Sequence, residues 1–422
     1  SAARLFGWSA KKTMSTAQVL YEEGLITYHR TDSFNLSKPA VTKARSFIQK
    51  SYGDQYLPEE ARIYKTRSKV AQEAHEAIRP TKVSVEPKGE IGISGKFANE
   101  AKRLYELIWR RFVACQMPAS VYDETTIEVE ALRLAPLAQG KQINYLLRAS
   151  GQTMKFDGWR KVIPSRPDGT DSVTLPEVVK DEPLSLIKVD PQQKFTQPPA
   201  RFNEASLIKT LEALGIGRPS TYAPIISTIQ LRQYVTKEEG KFKPTHVGVA
   251  VSDFLMKNFP GIVDYGFTKE MEDDLDDIAK GDSKWVEVMK NFYKPYEKKL
   301  KDVTENSQRV KIETEKLGKK CPKCKDARLA GDKSRQGELV VRIGRFGKFI
   351  SCSNFPDCDY KEKYLEKVGM TCPKCGKGDV IVKKTGKGRA FFGCSRYPDC
   401  DWASWKNPKI NLEKNGNIQQ KS

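Results

Sequence analysis

Gly24-Leu25-Ile26-Thr27-Tyr28-His29-Arg30-Thr31-Asp32-Ser33 is the stretch from which the rest of the chain is read. The glycine breaks a preceding helix, and the β-branched residues after it predict a short strand. Side chains alternate along a strand, so Tyr28, Arg30 and Asp32 would share one face. A free phenol titrates near ~10, so a tyrosine that attacks phosphorus at neutral pH needs help. A guanidinium two residues away can stabilise phenolate and grip phosphate oxygens in a bidentate pair. Tyr28 is therefore a candidate nucleophile and Arg30 its electrostatic partner. On the residues alone, a half-buried strand tyrosine reads equally well.

The flanking sequence is helix-rich to about residue 114. Ser15 is positioned to cap a helix through Ala17-Gln18-Val19-Leu20-Tyr21 that ends near Gly24. Helix, glycine turn and strand together suggest a winged-helix arrangement. Ala71 to Arg79 reads as a second helix closed by Pro80, carrying His75, one of three histidines. By itself His75 reads as a satisfied structural histidine. Cys115, in Arg111-Phe112-Val113-Ala114-Cys115, reads as a core thiol. Residues 115–190 change character: Val121–Leu132, Ile143–Ser150 and Val173–Leu175 alternate between turn signals and predict an antiparallel sheet.

Residues 191–300 return to helix. Asn203 can cap Glu204–Leu214, whose Leu207, Ile208, Leu211 and Leu214 form an apolar stripe. A turn follows at Gly215-Ile216-Gly217. Ser220 is the expected N-cap of the next helix, and Lys237–Thr245 reads as a wing hairpin. This is a helix-turn-helix pattern. Arg218 with the Ser220 and Thr221 hydroxyls at a helix N-terminus would suit a phosphate; Arg201 and Arg232 are further candidate strand contacts. The acidic run Glu272 to Asp277 reads as an exposed helix face with Met271, Leu275 and Ile278 turned inward, not as a metal site. Residues 301–320 read as a charged linker.

The cysteines give the most specific signal. Cys321 and Cys324 are followed by Cys352 and Cys358; Cys372 and Cys375 by Cys394 and Cys400. Each set is a CxxC knuckle plus a second pair, four thiolates suited to a closed structural Zn2+ site. The loop Cys352-Ser353-Asn354-Phe355-Pro356-Asp357-Cys358 repeats as Cys394-Ser395-Arg396-Tyr397-Pro398-Asp399-Cys400, so the ribbons, 321–366 and 367–407, are an internal duplication before a tail at 408–422. Rings interleave with cations here, as in Arg345-Phe346-Gly347-Lys348-Phe349, and such platforms stack unpaired bases. Phe349, Tyr397 and Trp405 are the candidate base contacts. Phe349 and Phe391 are expected nearer the ribbon cores, and Tyr397 and Trp405 outside.

Composition agrees. A chain of 422 residues with 38% hydrophobic and 30% charged residues suits several domains with hydrated surfaces. Its net charge of +20 points to a polyanion. Residues 301–422 hold 28 Lys and Arg against 15 Asp and Glu, a +13 share suited to binding phosphates without sequence preference. No apolar run is long enough to span a bilayer, no signal peptide is evident, and eight of nine cysteines in metal-type groups suit a reducing compartment. The expected class is a multidomain α+β fold: helical, winged-helix-like domains (1–114 and 191–300), an antiparallel β arch (115–190) and two C-terminal zinc ribbons.

Gly24 to Ser37 resembles the active-site tyrosine segment of the bacterial type IA DNA topoisomerases. Glu73-Ala74-His75-Glu76-Ala77-Ile78-Arg79-Pro80 is similar to a second signature of that family, as is the run from Pro198 to Val235, and the tetra-cysteine ribbons resemble its C-terminal fingers. The resemblance implies that Tyr28 attacks single-stranded DNA and becomes linked to the 5′ phosphate, with His75 assisting at the phosphate. It further implies relaxation of negatively supercoiled DNA, an arch that helps to close a ring around DNA, a monomer in the bacterial cytoplasm at the nucleoid, and RNA polymerase as a protein partner. The family uses Mg2+, held by an N-terminal TOPRIM domain; no Asp-x-Asp motif following an apolar strand, as that domain carries, is found here. Only residues 1–27 precede Tyr28, and the chain starts at Ser1 rather than Met, so it reads as a C-terminal portion that binds single strands but relaxes DNA poorly alone. His29 stands where the family commonly has an apolar residue, and on a strand it would face away from Tyr28 with little effect. Two alternatives stay open: a non-catalytic helix-turn-helix and zinc-ribbon binding protein, and the topoisomerase part of a reverse gyrase.

Overall fold

The computed structural model describes residues 1–64, 75–95, 97–134, 142–164, 175–308, 315–325, 337–344, 347–385, 390–405 and 408. The chain divides into two units, Ser1–Val310 and Lys311–Ser422.

The first unit opens with α1 (Ala2–Phe6), α2 (Ala10–Glu22) and α3 (Lys38–Tyr52). Ser9, not Ser15, caps α2, its hydroxyl accepting the Lys12 N–H at 3.2 Å. Ala10, Lys11 and Lys12 are good helix formers that extend the helix upstream, and the Ser15 hydroxyl donates instead to the Lys12 carbonyl. Gly24 takes φ +66°, the left-handed region that glycine enters without a Cβ penalty, and stops the helix. The strand expected next does not form. Ile26 makes one antiparallel bridge, to Pro80, and residues 27–37 are irregular. The bridge is carried by the Thr27 N–H on the Arg79 carbonyl and the Thr81 N–H on the Leu25 carbonyl, and it stops there because the Arg79 N–H goes to the Thr27 hydroxyl and the Leu25 N–H to the Leu20 carbonyl. No wing follows α2, although side chains still alternate in part: Tyr28 and Arg30 are exposed and His29 is buried.

Residues 75–80 are not helical either, and 71–74 lie outside the described residues. The residue before Pro80 is biased away from the helical region. The backbone of this segment pairs with the Tyr28 loop instead, Ala77 N–H to the Asn35 carbonyl at 2.8 Å and Thr27 N–H to the Arg79 carbonyl at 2.9 Å. α4 (Ala98–Cys115) supplies Leu104, Tyr105, Trp109 and Val113 to a core shared with Trp8, Leu20, Ile26, Ile48 and Met117. Cys115 ends α4 half-buried, its thiol donating to the Phe112 carbonyl and pushed up in pKa by burial.

β1 (Val121–Leu134) and β2 (Gln142–Phe156) form an antiparallel ribbon in which Val121 faces Phe156 and Leu134 faces Gln142. The third expected segment is not a strand at Leu175, and Val173 lies outside the described residues. Next come α5 (Glu204–Leu214), α6 (Tyr222–Leu231), the hairpin β3 (Val235–Glu238) and β4 (Lys241–Pro244), and α7 (His246–Asn258), α8 (Pro260–Val263), α9 (Tyr265–Lys280) and α10 (Trp285–Asn306). Asn203 caps α5 in a reciprocal box with Ser206. Thr221 rather than Ser220 is the N-cap of α6, because Thr221 Oγ1 accepts the Arg218 N–H at 2.8 Å and closes the turn one residue later. Leu275 on α9 is exposed, not inward; the carboxylates on that helix are partly turned in to meet Arg218.

The second unit is two antiparallel four-stranded sheets. β5 (Glu315–Lys320), β6 (Glu338–Gly344), β7 (Gly347–Cys352) and β8 (Lys361–Lys363) lie in sequence order; β9 (Lys367–Thr371), β10 (Asp379–Lys384), β11 (Ala390–Cys394) and β12 (Ala403–Ser404) form the other. The expected linker 301–320 is therefore shorter: α10 runs to Asn306, and β5 already pairs Glu315 with Val341. Of the tail, 409–422 lies outside the described residues.

Candidate active site and metal centres

Two segments far apart in sequence are stitched together around Tyr28. Thr27 is the main thread: its hydroxyl donates to the Ala77 carbonyl at 2.8 Å and accepts the Arg79 N–H at 2.9 Å. Thr81 closes one end, its N–H on the Leu25 carbonyl at 3.0 Å and its hydroxyl on the Gly24 carbonyl at 2.7 Å. Glu76 closes the other. Its carboxylate takes Arg79 Nη2 at 2.5 Å and Nε at 3.3 Å, and the Ser37 N–H at 2.5 Å. Burial raises the Glu76 pKa, but the bonds from Arg79 and Ser37 outweigh it and hold the carboxyl below its usual value.

This stitching brings His75 to Tyr28, ring centroids 5.8 Å apart. Tyr21, from the last turn of α2, meets Tyr28 edge to face at 5.2 Å. Arg30, two residues on from Tyr28, is exposed, and its charge is felt at His29. His29 does not point away as expected, because the backbone is not a strand: its buried ring lies 5.5 Å from Tyr28 and 6.1 Å from Tyr21. Burial, then Arg30, lower its pKa, against a smaller opposing effect of Glu22. The arrangement is a partly exposed phenol with two imidazoles and a second phenol ring against it.

A cavity of 1490 Å3 adjoins this loop, lined among others by His29, Asp32, Ser33, Glu204, Arg218 and Tyr222. Burial pushes the Tyr222 phenol up to about 12, so it is a poor nucleophile at neutral pH. Arg201, Ser220, Thr221 and Arg232 are exposed. Arg218 is not available as expected. Its guanidinium is held by Asp276 at 2.6 Å, Asp273 at 3.3 Å and Glu272 at 4.0 Å, and donates to the Gly215 and Gly217 carbonyls. The acidic run that the sequence places on a solvated face is what neutralises it. Thr27, Glu76, Arg79 and Tyr21 were not singled out from sequence. The Glu76–Arg79 spacing of three signals a local pair, but nothing local marks Thr27 or Tyr21.

In each ribbon four Sγ atoms lie within 4.8 Å of one another. Cys321–Cys358 and Cys324–Cys352 are 3.9 and 3.5 Å apart, Cys372–Cys400 and Cys375–Cys394 3.8 and 3.7 Å. A tetrahedron with Zn–S bonds of about 2.3 Å has an edge of about 3.8 Å, so both sets fit Zn2+. Gly337 and Gly378 are required: a Cβ on either would overlap Cys352 Sγ or Cys394 Sγ. Backbone N–H groups of Lys377 and Gly378 point at Cys375 and lower its pKa, as a metal-binding thiolate needs. The ribbons also repeat around the metal. Lys323 pairs with Asp359 as Lys374 pairs with Asp401, and Arg342 lies over Phe355 as Lys383 lies over Tyr397, at 5.4 and 4.6 Å. Phe355, Tyr397 and Trp405 are exposed, and Phe349 and Phe391 half-buried. Arg345 and Phe346 lie outside the described residues.

The profile of the DNA topoisomerase family matches residues 1–290, and that of the topoisomerase DNA-binding C4 zinc finger matches 318–367 and 369–409. The chain belongs to the bacterial type IA DNA topoisomerase family. DNA topoisomerase 1 of Rickettsia felis is 41% identical over 389 residues, 86% of this chain and 47% of the relative. That of Campylobacter jejuni is 39% identical over 406 residues, 90% of this chain and 54% of the relative. The solved full-length topoisomerase I of Thermotoga maritima aligns with TM-score 0.60 and 30% identity, covering 86% of this chain and 55% of that one. The chain thus spans about half the length of the topoisomerases it matches. The two four-cysteine clusters are zinc-ribbon sites of this family. Among the described residues the cysteine sets are the only clusters of three or more metal-ligating side chains, and Glu272, Asp273 and Asp276 are committed to Arg218.

Proposed function

We propose that this chain carries the nucleophile, the strand-binding gate and the zinc fingers of an enzyme that relaxes negatively supercoiled DNA by transient single-strand cleavage. The Tyr28 phenol oxygen attacks a phosphodiester phosphorus. The bond to the 3′ oxygen breaks, and a 5′-phosphotyrosine and a 3′ hydroxyl result. After a strand has passed, the 3′ hydroxyl attacks the phosphotyrosine and restores both. Arg30 stabilises charge on the phosphate oxygens, and His75 donates a hydrogen bond or carries a proton at the same phosphate. Arg201, Ser220, Thr221 and Arg232 guide the strand backbone, and the ring–cation pairs of the ribbons stack its bases. Mg2+, bound in the remainder of the whole enzyme, would add charge stabilisation at the phosphate. The proposal extends to a monomer at the bacterial nucleoid, with RNA polymerase as the candidate protein partner.

The observation that carries this reading is the convergence of Tyr28 and His75, residues of two separate motifs, through the Thr27 and Glu76 hydrogen bonds. The test is a 3′-labelled single-stranded oligonucleotide incubated with the chain, Mg2+ and the N-terminal half of a related topoisomerase, then quenched in detergent. A covalent protein–DNA adduct that Tyr28→Phe abolishes is the expected result. An adduct that survives Tyr28→Phe refutes the nucleophile. Tight DNA binding with no adduct, when the same N-terminal half complements its own C-terminal half, favours a non-catalytic binding module.

A further inference from the structure

His29 lies inside the proposed active site yet has no part in the chemistry above. It is 3% exposed, and neither Nδ1 nor Nε2 has a hydrogen-bond partner. Its ring, the Tyr28 ring and the Tyr21 ring meet pairwise at 5.5, 6.1 and 5.2 Å, so each touches the other two. His75 contacts the Tyr28 member of this triangle. An apolar side chain of similar size would fill the same slot without sinking two polar atoms, so packing alone does not account for an imidazole there.

We propose that His29 is a positioning residue for Tyr28, its ring holding the phenol in place when neutral and releasing it on gaining a proton. The inference rests on Tyr28 as the nucleophile. The titratable and charged groups around His29 are Tyr21 and Glu22 from α2, and Tyr28, Arg30 and Asp32 from its own loop. The cavity that it lines is bordered by Arg62, Tyr64 and Arg111 and, from α5, α6 and α9 and the turn between α5 and α6, by Glu204, Lys209, Glu212, Arg218, Tyr222, Lys269 and Asp273. None of these accepts a hydrogen bond from the ring. A protonated His29 would be a buried cation beside Arg30, with two N–H groups and no acceptor, and only Glu22 opposes that cost appreciably. Protonation therefore drives the ring toward water and takes away one wall of the Tyr28 slot. Burial and Arg30 both lower the His29 pKa, so the slot stays formed at neutral pH and opens only below the ordinary histidine range.

The test reads the slot without needing catalysis. Fluorotyrosine is placed at position 28 of the full chain and its fluorine resonance followed from about pH 7.5 to about pH 5, alongside carbon-13 signals of the three histidines, assigned by substitution. The expected result is a His29 midpoint below ~6.5, a fluorine shift with that same midpoint, and loss of the shift in His29→Met but not in His75→Asn. A fluorine shift unchanged in His29→Met, or a His29 titration that leaves position 28 unmoved, overturns the proposal. In adduct-competent mixtures, wild type should lose about threefold more in adduct rate than His29→Met across the His29 midpoint; an equal loss in both also overturns it. Failure of the nucleophile assignment shows differently, as an adduct that survives Tyr28→Phe.

Discussion

Glu76→Ala should unpick the stitch that brings His75 to Tyr28. The carboxylate accepts from Arg79 twice and from the Ser37 N–H once. Hydrogen bonds to a charged group contribute about 1.5–3 kcal/mol each when well shielded. Here Arg79 is 14% and Glu76 27% exposed, so solvent screens part of that, and the three bonds share one acceptor. Without Glu76 the Arg79 guanidinium keeps, among the described residues, the Pro80 carbonyl at 3.1 Å. A loss of about 2–4 kcal/mol follows for Glu76→Ala, and about 1 kcal/mol for Glu76→Gln, which keeps an acceptor for Ser37. Denaturant unfolding followed by the fluorescence of Trp8, Trp109 and Trp159, which pack in or against this core, measures it. A cycle with Arg79→Ala should return a coupling of at least about 1 kcal/mol. The pH dependence has a definite sign. The folded pKa of Glu76 is lowered from 4.5, so its stabilisation is complete above that value and is lost as pH falls through the folded pKa. Wild type and Glu76→Ala should therefore converge in strong acid. A Glu76→Ala cost below about 0.5 kcal/mol at neutral pH, or a cycle with no coupling, would refute the reasoning.

Three further outcomes are expected. Gly378→Ala places a Cβ against Cys394 Sγ and should weaken zinc about tenfold or more in a chelator competition, whereas Gly376→Ala meets no neighbouring atom and should strain only the backbone. Tyr397→Ala and Phe355→Ala should each cost about 1–3 kcal/mol in single-strand affinity, read by fluorescence anisotropy, and wild-type affinity in both variants would remove the rings from the binding surface. Leu20→Ala empties a fully buried position between α2 and the Tyr28 loop and should destabilise the first unit by about 2–5 kcal/mol in the same unfolding assay.

Some features were legible because their cause is local. The CxxC knuckles and duplicated loops identify the ribbons, since thiolate spacing alone sets what a tetrahedral ion can reach. The Asn203 cap and the Lys237–Thr245 wing follow from residues a few positions apart. Other readings failed where a distant partner decided. The strand after Gly24 is consistent with its β-branched residues, but the ladder needs the Arg79 N–H on the Thr27 carbonyl, and the Thr27 hydroxyl takes that N–H instead. The helix expected up to Arg79 lost its backbone bonds to Asn35 and Thr27. Arg218 looked free because Asp273 and Asp276 lie more than fifty residues away.

The sequence by itself determined the chemistry present: a tyrosine beside an arginine, a histidine in a second motif, eight thiolates in two quartets and a basic C-terminal third. Tertiary structure alone decided which of these groups meet and in what state. Thr27 and Glu76 join two segments so that His75 reaches Tyr28, α9 takes Arg218 out of solvent, and the irregular loop turns His29 inward against the phenol. The physical reason is that residue type fixes what a side chain can donate, accept or ligate. Its burial and its partners depend on contacts that no short stretch of sequence contains.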